Sequence, residues 1–170
     1  MPFGCENFIT VNTQQGIFQP DIMTLAKGLG TGVPIGAMLA SEAVAASFTV
    51  GSHASTFGGN PLTCAVGVAV MRALLSDCVI ANCQTQGEYL RERLRRVALR
   101  CPRIRDVRGS GLLIGVELDG PGNAVVEACR EAGLLINCTM EKVLRLSPPL
   151  IVARDEIDCA VDIVERVLRQ

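Results

Sequence analysis

The sequence predicts an α/β chain in two parts, on three observations. Short apolar segments at 22–26 and 35–40 flank a glycine-rich turn. Two long helices of opposite character follow, the first apolar on nearly every face and the second amphipathic. After Pro102, short strands and helices alternate in a small α+β unit. At 170 residues the chain suits one ordinary domain or two small ones.

Taken in order, residues 1–16 carry no clear period and read as an irregular lead-in without the basic amphipathic pattern of a transit peptide. Segments 22–26 and 35–40 are short apolar runs bounded by Gly and Pro, the pattern of buried strands. Gly28, Gly30, Gly32 and Pro34 between them call for unusual backbone angles. Ser41 opens a short helix over 42–48, and a polar segment runs from 49 to 60. Asn60-Pro61 is a good helix start, with Asn as N-cap and Pro in the first turn. The helix over 61–75 has Arg72 as its only charge and is expected to be buried all round. Asp77 and Cys78 break it. The next helix, 79–99, sets Tyr89, Leu90, Leu94 and Val97 on one side and arginines on the other. That change of character marks the expected domain boundary.

Segments 104–108 and 112–118 read as strands joined by a tight turn at Gly109-Ser110-Gly111. A helix over 123–132 stops at Gly133. Strands at 134–138 and 143–146 precede Pro148-Pro149. A last helix, 155–169, repeats Ile157, Ala160, Val161, Val164, Val167 and Leu168 at helical spacing.

Bulk properties narrow the function classes. Apolar residues make up 49% and the mean hydropathy is +0.35, so the chain packs a large core or presents apolar faces to something else. A formal charge of -1, one Tyr and no Trp give no reason to expect nucleic acid or an acidic membrane surface. No apolar stretch reaches the roughly 18 residues of a membrane span. The eight cysteines include no C-x-x-C pair and sit mostly in apolar runs, which predicts reduced, buried thiols and a reducing compartment. A single histidine argues against zinc, and no metal is expected.

Four positions carry potential chemistry. Lys27 either ends a strand at the surface or, desolvated beside apolar residues, becomes a free amine that attacks carbonyls. Its glycines fit neither a Walker loop, which needs Lys after the glycines, nor the G-x-G-x-x-G dinucleotide spacing. Ser55 and Thr56, followed by Phe57-Gly58-Gly59-Asn60, form either an ordinary capping loop or a cradle for an anion such as phosphate. His53 reads as a loop hydrogen-bonder. Arg145 lies in an otherwise apolar strand, and there needs an acidic partner or a carboxylate ligand.

Four segments in this order resemble the class III aminotransferases: PDIMTLAKGLGTGVPIGAMLA, HASTFGGNPLTCAVGVAV, VRGSGLLIGVEL and GLLINCTMEKVLRLSPPLI. These are pyridoxal-phosphate enzymes of fold type I. The similarity is greatest to the acetylornithine branch, with the ornithine and succinylornithine branches next. It implies the end of a large cofactor domain over 1–77, then a linking helix and small C-terminal domain over 78–170. It implies that Lys27 bonds to pyridoxal 5'-phosphate and moves a proton during transamination. It likewise implies that Thr56 reaches the cofactor phosphate of a neighbouring subunit, that Ser55 touches the acylated substrate, and that Arg145 binds the substrate carboxylate. The implied reaction moves an amino group between N-acetylornithine and 2-oxoglutarate in arginine biosynthesis. The implied assembly is a homodimer, in the cytoplasm or a mitochondrial matrix.

The family places its other phosphate loop, its ring-stacking aromatic and the aspartate facing the pyridine nitrogen ahead of the lysine, and residues 1–19 do not resemble that region. The chain is therefore expected to be the C-terminal part of such an enzyme. The rival expectation is a truncated, catalytically silent chain that only associates with a partner subunit.

Overall fold

A computed structural model describes residues 20–76 and 78–169, and the backbone of 11–13 and 16–18. The chain divides into two compact units, 1–73 and 74–170.

In the first unit, β1 (Val11–Thr13) and β2 (Gly16–Phe18) pair antiparallel. The expected irregular lead-in is thus corrected there, while its other residues and Cys5 lie outside the described residues. Strands β3 (Ile22–Leu25) and β4 (Ala37–Ala40) form a second antiparallel pair, with Leu25 opposite Ala37 and Ile22 opposite Ala40. The expected strands are there, with β4 two residues shorter at its start. Helix α1 spans only Glu42–Ala45, shorter than the expected 42–48.

Helix α2 (Pro61–Ser76) starts where Asn60-Pro61 predicts. Asn60 Oδ1 accepts the Thr63 N–H at 3.0 Å, which satisfies one of the donors a helix start leaves open. The expectation of all-round burial fails. Only Gly67 is buried, and Leu62 (74%), Val68 (49%) and Leu75 (47%) stand exposed. An apolar helix is buried only where other elements cover it, and composition does not supply the cover.

The second unit holds the core. Helix α3 (Val79–Ala98) buries Gly87, Leu90, Leu94 and Val97, a stripe at helical spacing. The predicted break at Asp77 lies outside the described residues. A four-stranded antiparallel sheet runs in the order β5-β6-β8-β7, from β5 (Ile104–Ser110), β6 (Leu113–Leu118), β7 (Asn137–Thr139) and β8 (Val143–Leu146). The β5–β6 turn differs from expectation. Ser110 pairs with Leu113, so the loop is Gly111-Leu112, and Gly109 and Ser110 belong to β5. Gly111 takes φ +51°, the left-handed value that a two-residue hairpin needs at its first loop position.

Helix α4 (Asn123–Glu131) closes in a Schellman motif: Gly133 N–H donates to Arg130 O at 3.0 Å and Leu134 N–H to Cys129 O at 2.8 Å. That motif takes Leu134 into the connection, so β7 begins at Asn137 instead of 134. Helix α5 (Arg154–Leu168) buries Ile157, Val161, Val164, Val167 and Leu168, and Glu156 caps it by accepting the Ala153 N–H at 2.8 Å. Tyr89 on α3 donates to Asp158 on α5 at 2.6 Å, and Arg93 pairs with Asp158 and Asp162. One face of the sheet, carrying Ile114, Val116, Leu118, Leu144 and Leu146, packs into the core with the helices. The other face is largely exposed, apart from the buried Val143.

Candidate functional site

In the first unit, β3 delivers the chain to Lys27, which opens a 3₁₀ turn over Lys27–Leu29. Lys27 takes φ +54° and Thr31 φ +46°. Left-handed backbone costs an L-residue with a Cβ roughly 1–2 kcal/mol. The unusual angles expected of the glycines here thus fall partly on residues that tolerate them poorly, the kind of strain that collects at functional sites. Lys27 lines an open hollow of ≈ 490 Å³ with Gly28, Thr31, Gly32, Val33, Pro34 and Ile35. Of the two surroundings left open for Lys27, the structure shows the exposed one. Among the described residues no carboxylate pairs with its amine, whereas the chain's other lysine, Lys142, pairs with Glu117 at 2.8 Å.

Ser55 and Thr56 lie in the exposed loop before α2. Ser55 Oγ accepts the Gly58 N–H at 3.0 Å, which leaves the hydroxyl proton to donate elsewhere. Thr56 has no hydrogen-bond partner among the described residues. Asn60 caps the helix itself, through the Thr63 N–H at 3.0 Å and the Cys64 N–H at 3.1 Å. The two hydroxyls remain to bind an anion. Neither residue lines the Lys27 hollow. His53 is exposed in the same loop.

Arg145 belongs to the second unit, on β8. Leu144 and Leu146 on either side of it face the core, so the strand's alternation puts Arg145 on the other face, exposed and opposite Gly115 of β6 and Asn137 of β7. Its apolar neighbours in sequence do not bury it, because the side chain stands on the exposed face. Its Nε–H donates to Asn137 Oδ1 at 3.1 Å, and no acidic side chain pairs with it among the described residues. Sequence reasoning missed Asn137. The available signal was an asparagine, a type depleted in strands, eight residues before Arg145.

The same face carries a charged cluster. Glu117 accepts from Arg108 at 2.7 Å and pairs with Lys142 at 2.8 Å, while Arg108 also reaches Asp106 at 2.8 Å. Lys142 first, then Arg108, holds the Glu117 carboxyl below the ordinary value near 4.5. A depressed folded-state value contributes stability above pH 4.5 and loses it as pH falls through the folded value. Urea midpoints measured from pH 6 to pH 3 should therefore fall less steeply for Glu117→Gln than for the wild type. Parallel curves would show that the cluster contributes no linkage.

The thiols depart from expectation. Cys101 and Cys129 are buried, and burial pushes the Cys129 thiol up, but Cys64, Cys78 and Cys159 are exposed. All seven described cysteines are free. Among the described residues no cluster of three or more His, Cys, Asp or Glu could hold a metal ion, and no single helix is long and apolar enough to cross a membrane.

Comparison with known proteins places these residues in a family. The family model described as "Aminotransferase class-III" matches residues 10–168. The acetylornithine aminotransferase of Methanothermobacter thermautotrophicus is 49% identical over 150 residues, covering 88% of this chain and 38% of that protein. An ornithine aminotransferase from Toxoplasma gondii, solved with partial occupancy of pyridoxal phosphate at its active site, superposes with a TM-score of 0.83 at 36% identity, over 89% of this chain and 37% of that one. The acetylornithine aminotransferase from Elizabethkingia anophelis gives a TM-score of 0.82 at 32% identity, over 89% and 41%. The chain thus spans about two fifths of the length of the relatives it matches. It carries the α/β fold of fold type I pyridoxal-phosphate enzymes, and class III aminotransferases use that cofactor. A strained lysine after β3 and an arginine bonded to Asn137 on the sheet's outer face, neither in an ion pair among the described residues, thus stand in a chain that belongs to the class III aminotransferases.

Proposed function

We propose that this chain supplies the cofactor-anchoring lysine and the carboxylate-binding arginine of a transaminase that exchanges an amino group between N-acetylornithine and 2-oxoglutarate. The observation that carries the reading is Lys27, held in left-handed backbone over an open hollow with no ion pair among the described residues. Such an amine fits the aldehyde of pyridoxal 5'-phosphate, and the unpartnered Thr56 hydroxyl fits a phosphate oxygen. When bound, that cofactor supplies the electron sink for deprotonating the carbon that bears the reacting amino group.

The chain's own residues do the rest. Lys27 Nζ holds the cofactor until a substrate amine takes its place. Freed as an amine, Nζ accepts the proton from the amino-bearing carbon and later returns one. Arg145 holds a substrate carboxylate through its guanidinium fork, and Ser55 donates its free hydroxyl proton to the acyl group of the donor. Residues 1–77 would serve the cofactor side and 78–170 the small domain, within a homodimer in the cytoplasm, in arginine biosynthesis. The choice of the acetylornithine branch rests on the 49% identity to a relative of that name. The exposed apolar residues of α2 favour a second reading, in which the chain is silent alone and associates with a partner subunit.

The test uses the chain's two lysines. The chain is incubated with pyridoxal phosphate, reduced with borohydride, digested and mapped by mass. The label should fall on Lys27 and spare the ion-paired Lys142, and Lys27→Ala should abolish it. Equal labelling of both lysines would sink the assignment. Amino transfer from N-acetylornithine to 2-oxoglutarate, assayed in parallel, decides between the two readings.

A further inference from the structure

We infer that Asn137 is a positioning residue that selects the geometry in which Arg145 receives a carboxylate. The inference rests on the reading of Arg145 as a carboxylate site and goes beyond it. A guanidinium offers two forks: a side-on pair, from Nε–H and one Nη, and an end-on pair, from Nη1 and Nη2. Here β7 and β8 pair antiparallel with Asn137 opposite Arg145, and Arg145 Nε–H donates to Asn137 Oδ1 at 3.1 Å. Arginine has no acceptor, so the amide must turn its oxygen, not its nitrogen, toward Nε. That bond takes the donor the side-on fork requires. The end-on fork remains, and among the described residues no acidic group occupies it.

The other strand neighbour agrees with this arrangement. Gly115 of β6 stands opposite Arg145 and places no side chain beside it. The guanidinium is thus held on one flank by Asn137 and left open on the other. Both residues are exposed, so the bond adds little to stability and acts through the rotamer entropy a long side chain would otherwise lose on binding.

The experiment uses the whole chain with glutarate, a five-carbon dicarboxylate that lacks a reactive oxo group. The 15N-labelled Arg145 Nε–H resonance, assigned by its loss in Arg145→Lys, reports the hydrogen bond, and titration reports affinity. In the wild type the resonance should be slow to exchange before ligand is added and should stay so at saturation. Asn137→Ala should speed its exchange and weaken glutarate binding about three- to tenfold. Asn137→Asp separates positioning from simple bracing. Its carboxylate keeps the Nε–H bond, so a bracing role predicts recovery, whereas the present inference predicts retained protection with affinity below that of Asn137→Ala, because the added charge competes for the fork. Unchanged exchange and affinity in Asn137→Ala, or full recovery in Asn137→Asp, would overturn the inference. Equal binding by wild type and Arg145→Lys would instead remove the carboxylate site itself.

Discussion

Replacing Gly87 with alanine should destabilise the second unit, although alanine is the better helix former by about 1 kcal/mol. Gly87 lies mid-helix in α3, and a Cβ built there would sit 2.2 Å from Gly111 O and 2.4 Å from Gly111 C. Those atoms are backbone of the β5–β6 turn, not the far end of a flexible side chain. The turn has little freedom to retreat, because Arg91 on the same helix donates to Gly109 O at 2.8 Å. Overpacking of this kind costs roughly 1–3 kcal/mol and more when backbone must move. The clash should outweigh the propensity gain, lowering the melting temperature by roughly 5–10 °C. Gly87→Val, with two further methyls and poorer helix propensity, should lower it more. A melting temperature equal to or above the wild type in Gly87→Ala would mean the hairpin yields freely.

Gly87 also marks where sequence reading stops. A glycine in an amphipathic helix looks like a small liability, and nothing local says that a turn 24 residues later presses its backbone against it. The elements themselves were legible wherever a period or a cap carried them. Asn60-Pro61 placed the start of α2, the Leu90, Leu94 and Val97 stripe placed the buried face of α3, and Gly133 placed the end of α4. The β5–β6 turn was misplaced because Gly109 and Gly111 are equally good turn residues and only strand register chooses between them. The same division holds at the candidate site. Lys27 and Arg145 stand out as residue types in apolar surroundings, so the sequence points at them. Their exposure, the strain at Lys27 and the Asn137 bond depend on pairing across strands, which one strand's sequence does not contain.

The uneven distribution of the core yields the second large effect. Among the described residues every buried large side chain lies between Leu90 and Leu168, and Leu94 is fully buried. Leu94→Ala removes most of an isobutyl group from a site that α3, α5 and the sheet enclose, and should cost about 2–5 kcal/mol. Small domains have only about 5–15 kcal/mol of stability, so this single change should expose much of residues 79–168 to hydrogen exchange. Leu62→Ala deletes a side chain of the same size from α2, where it is 74% exposed, and should cost no more than about 0.5 kcal/mol. The pair isolates burial from chemistry, because both substitutions remove the same atoms from a helix. In the wild type, backbone amides of β6, β8 and the buried faces of α3 and α5 should exchange slowest, and those of α2 much faster. A large loss from Leu62→Ala, or slow exchange through α2, would mean that α2 is covered in solution and that its apolar face already has an occupant.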